Sequence, residues 1–211
     1  PFAINGEAVQ VGVNLGIAVC PTHGTRPGEV FANADLALQR SKATRTTGHQ
    51  LYMPSLRQAV IARRTLENEL RLAFENEEFE LFYQPQVSLA DRTLIGAEAL
   101  LRWQRSCGTG IPPSDFIPVA EDLGIIAPLG AWVIEQACHA AAKWPADMVV
   151  AVNLSPVQFE TPGLVRIVAD ALTASGLSAS RLQLEITESV LLHDNAVNLS
   201  ILDQLSELGV S

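Results

Sequence analysis

Met148-Val149-Val150-Ala151-Val152-Asn153-Leu154, followed after an amphipathic stretch by Leu182-Gln183-Leu184-Glu185-Ile186-Thr187, decides the fold. Both segments are short and largely apolar, and each sets one oxygen-bearing side chain, Asn153 or Glu185, between apolar neighbours in its second half. Near-continuous apolar runs of this length belong to strands buried on both faces. Around them, residues 127–142, 164–173 and 197–208 repeat apolar positions at helical spacing. Strand and helix alternating at roughly thirty-residue spacing predicts βα units that form a barrel or a doubly wound parallel sheet.

Working outward, residues 79–87 and 94–103 read as two further strands joined by Ser88-Leu89-Ala90-Asp91-Arg92-Thr93. A parallel pair needs a crossover of about a dozen residues or more, so this pair is expected to be antiparallel. Before it, Leu56, Val60, Leu66, Leu70 and Phe74 fall on one stripe of a charged segment over 55–76, which predicts an amphipathic helix. That helix either links two domains or opens the second. Further upstream, alternation from Val9 to Val19 predicts a strand, a turn-rich connector follows, and Val30, Ala34, Ala37, Leu38 and Ser41 predict a helix. One strand and one helix cannot bury their own faces, so this pair belongs to a larger unit.

Composition sets the outer bounds. With 48% hydrophobic residues the chain can bury a sizeable core. A net charge of −9 argues against a protein that binds nucleic-acid polymers through a basic face. The three cysteines, Cys20, Cys107 and Cys138, are far apart and form neither a zinc-site spacing nor a disulfide framework, as suits a reducing cytoplasm. No run approaches the length of about 18 apolar residues that marks a membrane span. The chain opens on Pro1 and stops at Ser211, where a new strand is expected, so both ends read as cuts.

Three strand segments each carry one candidate ligand: Glu98, Asn153 and Glu185. A carboxylate inside an apolar strand is costly unless it is paired, protonated or bound to a metal. On parallel strands of a barrel all three would converge at the C-terminal face. Two carboxylates and an amide oxygen form a hard-oxygen set suited to Mg²⁺, Mn²⁺ or Ca²⁺. The alternative is a structural ion pair with Arg102 or Arg181. Strand alternation puts Arg102 on the face of Glu98, where its guanidinium suits a phosphate with two hydrogen bonds or a salt bridge to that acid. Gln84 is either a nucleotide contact or an ordinary edge residue. Trp103, His139 and Cys107 read as packing or loop residues.

The strings Tyr83-Gln84-Pro85, Glu98-Ala99-Leu100-Leu101-Arg102-Trp103, Phe116-Ile117-Pro118-Val119-Ala120-Glu121, Val152-Asn153-Leu154-Ser155 and Leu184-Glu185-Ile186-Thr187-Glu188-Ser189 resemble the EAL family in order and spacing. The resemblance implies an α/β fold: the first half of a modified TIM (β/α)8 barrel with an antiparallel first strand, over 66–211. Residues 15–42 resemble the last strand and helix of a GGDEF domain, with Gln39 standing where that family prefers Tyr. The implied division is 1–54 as the C-terminal part of a GGDEF domain, 55–65 as a linking helix, and 66–211 as the N-terminal part of an EAL domain.

Carried over residue by residue, the family implies Glu98, Asn153 and Glu185 as ligands of Mg²⁺ or Mn²⁺, Gln84 and Arg102 as contacts to cyclic-di-GMP, and Glu188 as a brace for a catalytic loop. The implied reaction is metal-assisted hydrolysis of cyclic-di-GMP to linear pGpG. Arg105-Ser106 stands where many members carry His-Pro, which is expected to alter the substrate-side loop. The family's acidic loop, catalytic Lys and final Glu and Gln would follow Ser211, so these residues alone are expected to be inactive. Other readings are a non-catalytic cyclic-di-GMP receptor and a module serving mainly for homodimerisation through the EAL domain. Any membrane anchor would lie upstream, at the inner membrane, with the described chain in the cytoplasm.

Overall fold

The computed structural model describes residues 2–4, 7–9, 11–43, 48–106, 108–187 and 196–211, with backbone alone for the first two segments. The chain divides into two compact units, 1–65 and 66–211.

In the first unit, β1 (Phe2–Ile4) and β2 (Glu7–Val9) form an antiparallel hairpin, and β3 (Asn14–Ile17) pairs in parallel with β4 (Gly48–Leu51). Between the latter two runs α1 (Pro27–Ala43), which buries Asn33, Ala37 and Ser41. The strand expected from Val9 to Val19 is shorter than its alternation implies. Among the described residues no strand pairs with 11–13, and Val11 and Val13 are exposed.

The predicted amphipathic helix is present as α2 (Pro54–Ala73). The second unit holds the sheet that matters for function. It comprises β5 (Phe79–Val87), β6 (Leu94–Gln104), β8 (Val149–Leu154) and β9 (Leu182–Ile186) in that spatial order, with β7 (Gly110–Ile111) paired to β6. β5 and β6 are antiparallel, whereas β6–β8 and β8–β9 are parallel. The short Ser88–Thr93 connector leaves no other option for the hairpin. The parallel pairs are bridged by α3 (Pro113–Asp122), α4 (Ile126–Ala141), α5 (Pro156–Glu160) and α6 (Leu164–Ser175), and α7 (Ala196–Glu207) follows β9. Ser211 already exchanges backbone hydrogen bonds with Leu182 and Leu184 on the outer edge of β9.

One face of the sheet is apolar. Ala99, Val150, Val152, Leu154 and Leu182 pack against Ile134, Ala137, Cys138, Ala141 and Val168 of α4 and α6. Each fully buried aliphatic side chain here contributes about 1.5–3 kcal/mol. A second core joins Leu70 and Ala73 of α2 to Phe79, Trp103, Phe116, Ala120 and Leu129, with Trp103 and Phe116 edge to face at 5.6 Å. Trp103 is therefore a packing residue, as expected. Arg181 donates to the carbonyls of Ala141, Pro145 and Met148, tying the α4–β8 connection to the start of β9.

Candidate functional site

The opposite face of the sheet is where the polar interruptions emerge. Side chains alternate along each strand, and Cα partners in neighbouring strands share a face. Gln84 is the cross-strand partner of Glu98, Phe82 of Leu100 and Glu80 of Arg102. Glu98 is also in register with Ala151, and Asn153 with Glu185. Glu98, Asn153 and Glu185 thus lie on one face of three adjacent strands, roughly 4.8 Å apart from strand to strand. Asn153 donates from Nδ2 to Glu98 Oε1 at 2.6 Å. With its amide nitrogen given to Glu98, the carboxamide has its oxygen left to offer a cation.

The structural ion-pair alternative is not what forms. The Arg102 guanidinium donates to the Leu101 carbonyl at 2.9 Å and lies 5.7 Å from the centroid of the Phe82 ring. Arg181 is committed to backbone carbonyls. Among the described residues neither Glu98 nor Glu185 is in an ion pair. Two carboxylates flanking an oriented carboxamide, with neither guanidinium on them, are an electron-rich set that fits a hard divalent cation. Among the described residues there is no group of three or more His, Cys, Asp and Glu side chains that could hold a metal.

A cleft of about 380 Å³ adjoins this set, with Leu100, Arg102, Ile117, Asn153, Leu154 and Thr187 among its walls. Glu98 and Glu185 do not line it, and Asn153 is the member shared with the triad. Gln84 is exposed beside Glu98 on the edge strand. Glu188, Cys107 and His193 lie outside the described residues.

Several residues without a role in the sequence reading turn out to build this region. Ser155, directly after β8, donates from Oγ to Glu121 Oε1 at 2.6 Å and caps α5 in a reciprocal box with Gln158. Glu78 accepts from Trp103 Nε1 at 3.0 Å and from both the amide and hydroxyl of Ser106, which hold its carboxyl below the usual range. Arg105 pairs with Glu69 of α2. The departure from His-Pro therefore fastens the loop after β6 to α2 and to the start of β5. The Ser155-x-x-Gln158 spacing was a readable capping signal; the Glu78 contacts carry no local signature.

A model of the EAL domain matches residues 67–211. The chain belongs to the EAL-domain family. Among relatives, an uncharacterized signaling protein of Caulobacter vibrioides is 40% identical over 210 residues, covering all of this chain and 26% of that protein. The bifunctional diguanylate cyclase/cyclic di-GMP phosphodiesterase MucR of Pseudomonas aeruginosa is 37% identical over 214 residues, covering all of this chain and 31% of that protein. The EAL chain thus spans about a quarter to a third of the curated relatives it matches. Its fold resembles the solved MucR phosphodiesterase in complex with c-di-GMP, with a TM-score of 0.67 and 42% identity over 70% of this chain and 61% of that one. It also resembles the EAL enzyme Bd1971 bound to cAMP and cyclic-di-GMP, with a TM-score of 0.65 and 31% identity over 75% of this chain and 45% of that one.

Proposed function

We propose that residues 66–211 are the N-terminal part of an EAL domain whose complete protein hydrolyses cyclic-di-GMP to pGpG with Mg²⁺ or Mn²⁺. The observation that carries this is the hydrogen bond from Asn153 to Glu98, with Glu185 in register beside Asn153. The relatives named as cyclic di-GMP phosphodiesterases support the substrate class. In this reading Glu98, Asn153 and Glu185 hold the cation. The bound cation would polarise a phosphate oxygen and lower the pKa of an attacking water.

The chain's own side chains supply the rest. Glu98 orients the Asn153 carboxamide by accepting its N–H, so that the amide oxygen is presented without searching rotamers. Arg102, spread over Phe82 on the same face, places a delocalised positive charge where a phosphodiester can be gripped by two hydrogen bonds. Gln84, across from Glu98, offers a donor and an acceptor toward a base or ribose. The antiparallel β5–β6 hairpin is the first part of the modified barrel, which later strands close. Residues 1–54 are the C-terminal part of a GGDEF domain, a reading supported by relatives that match across the whole chain.

The test is conversion of cyclic-di-GMP to pGpG by the complete protein, followed by chromatography with and without Mn²⁺. Metal-dependent pGpG is expected and should vanish in Glu98→Ala and Glu185→Ala variants that keep the wild-type circular dichroism spectrum. Binding of cyclic-di-GMP without turnover would replace the phosphodiesterase with a receptor.

A further inference from the structure

We propose that Glu121 is a positioning residue for the candidate metal site, acting through Ser155 on Asn153; this rests on the metal-site reading above. Glu121 sits in the last turn of α3, a helix anchored by Phe116, Val119 and Ala120 in the second core. A carboxylate in the last turn opposes the helix dipole. Among the described residues it is in no ion pair. It is half-buried, lines the cleft with Asn153 and Ser155, and accepts the Ser155 hydroxyl at 2.6 Å. Each local preference is against an acid here, and such violations concentrate where function requires them.

The bond acts on the turn that follows Asn153. Ser155 uses every polar group toward that end. Its amide donates to Gln158 Oε1 at 3.0 Å, its hydroxyl oxygen accepts from the Val157 amide at 3.2 Å, and its hydroxyl proton goes to Glu121. Gln158 is 5% exposed and packs so closely on Gly130 that a Cβ there would come within 2.1 Å of its Nε2. The cap of α5 is complete with Ser155 and Gln158 alone, so Glu121 is not needed for it. What Glu121 adds is a tie from α3 to the strand end two residues beyond Asn153, on the same side of the strand. Removing a group that hydrogen-bonds directly to a metal ligand commonly changes affinity by about 10–100-fold, and Glu121 acts one residue further away, so the low end of that range is expected.

The experiment uses the complete protein with Mn²⁺ as the probe. Free Mn²⁺ is counted by electron paramagnetic resonance, and the Asn153 side-chain amide is observed in metal-free protein labelled with ¹⁵N-asparagine. Glu121→Ala is expected to weaken Mn²⁺ binding about tenfold, to shift the Asn153 amide signal and to leave the thermal midpoint within a few degrees. Glu121→Gln keeps an acceptor for Ser155 and is expected to restore affinity to within about threefold. Ser155→Ala should reproduce the loss, and Glu121→Ala with Ser155→Ala together should lose no more than either alone. If Glu121→Ala does not fold, the Ser155→Ala and Glu121→Gln pair decides. Wild-type affinity and an unmoved Asn153 signal in Glu121→Ala, or in Ser155→Ala where Glu121→Ala does not fold, overturn the proposal. Absence of Mn²⁺ binding by the wild type would sink the metal-site reading, while the metal-free amide signal still tests the tie.

Discussion

Replacing Asn153 by Asp preserves the shape of the side chain but turns its Nδ2 donor into a second carboxylate oxygen facing Glu98. The bond removed has a charged acceptor and is worth about 1.5–3 kcal/mol. Two like charges about 4 Å apart add roughly 1 kcal/mol in bulk water and more where water is excluded. Asn153 is exposed, which keeps the sum near about 2–3 kcal/mol. In a domain of this size each kcal/mol moves the thermal midpoint by roughly 2–4 °C, so the metal-free variant should melt about 4–12 °C lower. A divalent cation reverses the sign, because a carboxylate is a better hard ligand than a carboxamide and the cation removes the repulsion. At a hundredfold excess over Kd, Mn²⁺ adds about 2.7 kcal/mol to whatever binds it. Differential scanning calorimetry with chelator and with Mn²⁺ should therefore show a gap that closes or inverts. A gap of equal size in both conditions would refute the placing of the cation between Glu98 and Asn153.

Arg102→Ala should raise KM for cyclic-di-GMP by about 10–100-fold through loss of charge-assisted bonds, with the smaller effect on kcat; an unchanged KM in steady-state assays would remove Arg102 from the binding surface. Trp103→Ala should cost about 3–5 kcal/mol, since the ring is fully buried and also serves Glu78, whereas Trp103→Phe should cost less; denaturant titration of the second unit reads both. Burial pushes the Cys138 thiol up to about 11. Its folded value lies above its unfolded one, so the unfolded chain holds fewer protons above pH 9 and stability falls between about pH 9 and 11, by roughly 2–3 kcal/mol. Cys138→Ala should flatten that slope. At pH 8, alkylation mapped by mass spectrometry should modify exposed Cys20 and spare Cys138 until the protein is denatured.

Apolar periodicity made the parallel sheet legible: β8, β9, α4, α6 and α7 fall within a residue or two of their expected bounds. Where prolines cluster, it failed. No element was expected over 113–122, yet Pro113 is the first residue of α3, where a missing N–H costs nothing, and Pro118 sits on its exposed side. The strand over Val9–Val19 was overdrawn because alternation reports a face and says nothing of a partner strand. At the candidate site, Glu98, Asn153 and Glu185 stood out as polar residues on apolar strands, whereas their shared face comes from the register of β6, β8 and β9, which no single segment states. The Glu121–Ser155 bond spans 34 positions and arises from the docking of α3 beside β8, so no window of sequence contains it.

The spatial order β5, β6, β8, β9 is also the order of synthesis, and the backbone of Ser211 already pairs with the outer edge of β9. Each strand leaving a ribosome therefore finds its template made, with a short turn between β5 and β6 and two helices between each parallel pair. A sheet that grows in this way need not bring distant ends of the polypeptide together before its first interior is dry. Each pairing then closes only the loop to a neighbour already formed, which keeps its entropic cost low. Among the described residues no strand pairs with the other edge of β5, whose row of amides is tempered by Pro85, which cannot donate to a stray partner.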